Sequence, residues 1–98
     1  MTDQARAAAM AQLDLLGFRA KDKITGFIGV VTSVSFDLYG CVQVVLSPPL
    51  DKDGKKAESF WFDATRLEIL EPERVMDPPA RWSIASDPKG PAEKPAFD

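Results

Sequence analysis

Three adjoining stretches decide the fold: IGVVTSVSF (residues 28–36), DLYG (37–40) and CVQVVLS (41–47). In the first, Ile28, Val30, Thr32, Val34 and Phe36 are mostly apolar, while Gly29, Val31, Ser33 and Ser35 are small or polar. Successive side chains of a strand point to opposite faces, so this alternation predicts a strand that buries its even positions. Asp37 to Gly40 then interrupts with turn chemistry. The β-branched run from Cys41 resumes with Val42, Val44 and Leu46 on one face. Two such runs joined by four residues predict an antiparallel hairpin.

Downstream, Pro48-Pro49 ends the second strand, because proline cannot donate to a ladder. Asp51-Lys52-Asp53-Gly54-Lys55 reads as a polar loop tip, and Glu58 to Asp63 (ESFWFD) as a further strand. Asp63-Ala64-Thr65-Arg66 suits one helical turn with Asp63 as its cap. A last short strand follows over Leu67 to Leu70. Upstream, a brief strand is expected around Arg19 to Lys23. Five short strands in about fifty residues predict a small curled barrel, since an open sheet would expose two edges.

The flanks differ in composition. Thr2 to Leu16 is rich in Ala, Leu, Met and Gln, all good helix formers. Asp3 suits the positive end of a helix dipole, and Gly17 suits a left-handed close. A short amphipathic helix over Asp3 to Leu16 is expected, with Met10, Leu13 and Leu16 as its apolar stripe. From Glu71 to Asp98 the chain carries six of its eight prolines. From about Pro88 it has little to bury and is expected to be disordered. Arg81 to Ile84 is an apolar island that could dock back. The organisation is thus an N-terminal helix (1–17), a barrel (18–70) and a Pro-rich tail (71–98).

Composition restricts the function. The 98 residues carry 45% hydrophobic and 28% charged side chains, as in an ordinary soluble domain. No run approaches the roughly 20 apolar residues of a membrane-spanning helix. Met1 to Ala11 lacks the basic and apolar pattern of a secretion signal, so a cytoplasmic location is expected. Histidine is absent and cysteine occurs once, which removes tetrahedral zinc by ligand count. Without histidine, Cys41 lacks the usual activating base, and at a strand start it is expected to be a small packed residue. Asp51, Asp53 and Gly54 echo the start of a calcium loop, but its twelfth position is Phe62 instead of a glutamate. Asp22, Asp37, Glu58 and Asp63 offer carboxylates, yet so small a barrel seldom encloses the cleft that paired acids need. No enzyme, cofactor or metal is expected.

The stretch from Lys21 to Leu70 also resembles a family of small uncharacterised proteins encoded by tailed phages and prophages. The resemblance rests on Lys21-Asp22, Thr25-Gly26-Phe27 with Gly29, Gly40-Cys41, Pro48-Pro49, Asp53-Gly54, Trp61-Phe62-Asp63 and Arg66-Leu67-Glu68. It implies an SH3-like barrel, making the chain mainly β (α+β). It brings no activity and no catalytic residue.

Two binding readings compete. Phe60 and Phe62 share one face of their strand and Trp61 takes the other, while Phe27 and Tyr39 lie on or near turns. Bulky aromatics that cannot all be internal suggest contact with a protein, through Phe27, Tyr39, Trp61 and Phe62. Intramolecular cover by the helix or the Trp82 segment is the plain alternative. Such a module would serve in a virion or on a host protein in the cytoplasm. The thin core and the helix also make a homo-oligomer plausible. The competing reading is a nucleic-acid-binding barrel using Lys52, Lys55 and Lys56, with Trp61 as a stacking residue. Against it, six basic residues face seven acidic ones between Lys21 and Leu70, and the whole chain carries a formal charge of -3. A small-molecule-binding protein is a third reading.

Overall fold

A computed structural model describes residues 1–80. The elements are α1 (Asp3–Leu13), β1 (Arg19–Asp22), β2 (Ile28–Phe36), β3 (Val42–Ser47), β4 (Phe60–Asp63), a 3-10 turn (Ala64–Arg66) and β5 (Leu67–Ile69). All strand pairs are antiparallel, in the order β4-β3-β2-β1-β5. The two strands at the ends of that order, β4 and β5, are consecutive in the chain. Only the three-residue 3-10 turn joins them, so the sheet must curl until its ends approach. The result is the mainly β, SH3-like small barrel preceded by a short helix that the sequence led us to expect.

The core inside the curl consists of Ala20 from β1, Val31 from β2, Val44 and Leu46 from β3 and Phe62 from β4. Leu15, Leu16, Phe27, Val34, Ala64 and Leu67 pack around them. β3 buries Val44 and Leu46 as its alternation predicts, with Val42 half-buried. β2 does not follow its own alternation. Val31, an odd position, is buried, while Ile28 and Phe36 are exposed. A bulge accounts for the half of the strand before it: Val31 pairs with Leu46 but Ser33 with Val45, leaving Thr32 as an extra residue, whereas Phe36 shares the Val34 side and is exposed as the last residue of the strand. One extra residue reverses which side chains face inward, so Val31 and Val34 point to the core although they are three apart.

α1 is three residues shorter than its composition suggests. The Thr2 side chain caps it by accepting from the Ala5 amide at 3.0 Å. After Leu13 the chain tightens, with Leu15 and Leu16 amides donating to Gln12 and Leu13 carbonyls. No residue of α1 is buried, and Met10 of the expected stripe is exposed. Leu15 and Leu16, beyond the helix, make the packing contacts instead.

The stretch after β5 returns to this corner. Glu71 receives two hydrogen bonds from Arg19, at 3.1 and 2.6 Å. Arg74 donates to the carbonyls of Leu16 and Asp14, at 2.9 and 2.8 Å, and lies 4.5 Å over the Phe18 ring. A guanidinium is suited to the unpaired carbonyls at a helix end. The Val75 amide donates to Gly17 at 2.8 Å. Gly17 has φ +90, and a β-carbon there would lie 2.0 Å from the Met76 carbonyl oxygen, so only glycine fits. Trp82 and the segment from Pro88 fall outside the described residues.

Candidate interaction surface

The β2–β3 hairpin ends in a tightly organised turn. Asp37 Oδ1 accepts from the amides of Tyr39 and Cys41, both at 2.9 Å. The Asp37 amide donates to the Cys41 carbonyl, and the Gly40 amide to the Asp37 carbonyl. Gly40 takes φ +92, which a side chain would oppose. The residues so displayed are Leu38 and Tyr39, 93% and 89% exposed.

The loop after β3 repeats this design. Asp51 Oδ1 accepts from the amides of Asp53 and Lys55 at 2.9 Å each. The Asp51 amide donates to the Lys55 carbonyl, and the Gly54 amide to the Asp51 carbonyl. The displayed residues here are Lys52 and Asp53, both exposed. The aspartate in each case organises the turn through one carboxylate oxygen. One scaffold thus carries a charged tip, as water favours, and the other an apolar tip.

The four aromatics expected to make contacts separate into two pairs. Tyr39 and Trp61 face outward, Trp61 being 53% exposed. Phe62 is buried and Phe27 half-buried, so these two belong to the barrel interior and its rim. Their rings lie 5.3 Å apart, and Phe60 meets Phe27 edge-on at 5.4 Å. Phe60 itself remains 46% exposed, on the rim of this trio. Lys52, Lys55 and Lys56 are exposed, but Asp51 and Asp53 stand among them in the chain. Cys41 is also exposed, contrary to expectation. It precedes β3 and still belongs to the turn, where its amide serves Asp37.

Asp22 is the one fully buried charged side chain among the described residues. Arg66 holds it with two hydrogen bonds, and Thr25 adds one from its amide at 2.9 Å and one from its hydroxyl at 2.5 Å. The Arg66 hydrogen bonds hold the Asp22 carboxyl well below the usual range, against the cost of burial. Both carboxylate oxygens are engaged, which makes it a staple between β1 and the 3-10 turn. Asp63 stands at the cap position but makes no capping bond; its Oδ1 accepts from Gln43 Nε2 at 3.2 Å.

Two shallow clefts flank the barrel among the described residues. One of about 230 Å³ lies between Leu16, Val30, Val31 and Met76 to Pro79. The other, of about 180 Å³, lies between Gln12, Gly40, Val42, Ala64 and Thr65. No group of three potential metal ligands occurs among the described residues, and no helix there is long and apolar enough to cross a membrane. Leu38 was absent from the sequence-based candidates, although its place beside Tyr39 in a DxxG turn was a usable signal. No protein-family model, curated protein or solved structure matches the chain.

Proposed function

We propose that the chain is a non-enzymatic protein-interaction module of phage or prophage origin, anchored by Leu38 and Tyr39. It would act as a virion component or on a host protein. The contrast between the two aspartate turns carries this reading. The Asp51 turn shows that the scaffold folds with Lys and Asp at its tip, so an apolar tip is not a requirement of folding. Large apolar side chains held rigidly in water cost solubility and resemble the aromatic anchors that dominate protein interfaces. A partner would present an apolar recess with an acceptor for the Tyr39 hydroxyl. The resemblance over Lys21 to Leu70 supports the origin.

The test exchanges one tip for the other. Wild-type chain and the variant Leu38→Lys with Tyr39→Asp are used for cross-linked capture from bacterial lysate. The expected result is a protein retained by the wild type at high salt and lost by the variant, with equal Tm for both. A wild type that captures nothing specific, or a variant that captures the same protein, would overturn the reading.

A further inference from the structure

The outer face of β2, β3 and β4 forms three rows fixed by the strand register. The middle row is Trp61, Val45 and Ser33. On one side lies Asp63, Gln43 and Ser35. On the other, Val30 pairs with Ser47, the Ser59 hydroxyl donates to Ser47 Oγ at 3.1 Å, and Ser47 meets the bulge residue Thr32 at 2.8 Å between hydroxyls. Trp61, Ser33, Ser35, Gln43, Asp63 and Thr32 are all exposed. This face does not include the Leu38–Tyr39 tip, which joins the end of β2 to the start of β3 beyond the Gln43 row.

From this arrangement we propose that the Trp61 face binds a neutral carbohydrate, one pyranose ring stacking on the indole. Three observations choose this occupant. First, apart from Trp61 and the half-buried Val45 and Val30, the rows hold hydroxyl, amide and carboxylate groups, so little exposed apolar area is available for a protein interface core. Second, none of the three rows contains a lysine or arginine, and Asp63 adds negative charge. Phosphate neutralisation, on which nucleic-acid affinity rests, therefore has no source on this face. Third, the hydrogen bond from Gln43 to Asp63 orients both side chains and leaves the second carboxylate oxygen and the amide oxygen as acceptors. Sugar hydroxyls are donors of the matching kind, and a charged acceptor strengthens such bonds. Neighbouring strands are about 4.8 Å apart and same-face residues about 7 Å apart along a strand. A ring lying on Trp61 thus brings its hydroxyl rim over Asp63 and Gln43 on one side and the serines on the other.

The face is shallow, so affinity should lie in the high micromolar to millimolar range. The experiment titrates the full chain with neutral cello-, malto- and chito-oligosaccharides, followed by amide and indole NMR shifts. We expect shifts centred on Trp61, Gln43 and Asp63 for at least one series, unchanged by 0.5 M salt. Trp61→Ala should weaken that binding at least tenfold, Gln43→Ala severalfold, and Trp61→Phe less than Trp61→Ala. Equal Tm values would show that each variant folds. No shift with any series, or binding that survives Trp61→Ala, would overturn the proposal. So would salt-sensitive binding of single-stranded DNA at this face, or a dimer that Trp61→Ala dissolves. Loss of the tip variant's protein partner would leave this result untouched, because Leu38 and Tyr39 lie outside the rows.

Discussion

Arg66 donates from Nε and Nη2 to the two carboxylate oxygens of Asp22, at 2.7 and 2.6 Å, across 44 positions of sequence. The pair ties the end of β1 to the turn that links the last two strands, where the barrel must close. Because the carboxyl is held below its unfolded value, its contribution to stability is present at neutral pH. It is lost as pH falls below about 4, where the unfolded chain begins to take up the proton first. Glu71 is lowered in the same direction by Arg19. Thermal unfolding from pH 7 to pH 2 should show a steep acid loss in the wild type. Asp22→Asn should start lower at pH 7 and lose less on acidification; parallel curves would contradict this account.

The bulge at Thr32 makes a sharper prediction for neighbouring valines. Val31 is 1% exposed and Val30 lies on the outer side. Val31→Ala removes two buried methyl groups and should cost about 2–3 kcal/mol, cavity included. Val30→Ala should cost about 1 kcal/mol or less. Urea unfolding of the two variants reads the difference directly, and an inverted order would place the bulge elsewhere.

Gly17 joins two constraints, a left-handed backbone and the approach of the Met76 carbonyl. Gly17→Ala should therefore destabilise by roughly 1–3 kcal/mol from backbone strain alone. It should also free the Val75 amide, whose hydrogen exchange would rise more than that of β2 amides. Arg74→Ala should raise the same amide's exchange while leaving the barrel core protected. Unchanged protection of Val75 in both variants would refute the docking of this segment.

α1 has a capped start but no buried side chain, and eleven residues are too few for a helix to be stable alone in water. Its amides should exchange by local opening well before those of β2 and β3. Native-state exchange at pH 7 measures this; protection of α1 equal to that of the central strands would show that something else secures it.

The hairpin was legible because its signals are local: a β-branched run, an Asp–Gly turn, a second run. The strand count and the 3-10 turn followed from similar punctuation. The inward face of β2 was not legible, because a bulge adds no compositional mark and only pairing with β3 reveals it. Cys41 was misread for a related reason, since one position decides whether a residue belongs to turn or strand. Asp22 looked like one carboxylate among several. Its DxxTG context is the pattern of a side chain accepting from a following Thr, but Arg66 lies too far along the chain for any local rule. Of the candidate site, turn position marked Tyr39, and alternation set Trp61 against Phe60 and Phe62 without saying which side faces outward. Phe27 and Phe62 needed the packed barrel before they could be assigned to its interior.

The return of residues 71–76 to Gly17 also determines how the molecule would respond to tension. The chain enters β1 and leaves β5 at the same end of one antiparallel pair. A pull on the two flanks would first break the Arg74 and Val75 bonds, and then open the β1–β5 ladder one rung at a time. Such a molecule yields by unzipping, at low force, and its mechanical weak point is the corner where its two flanks meet.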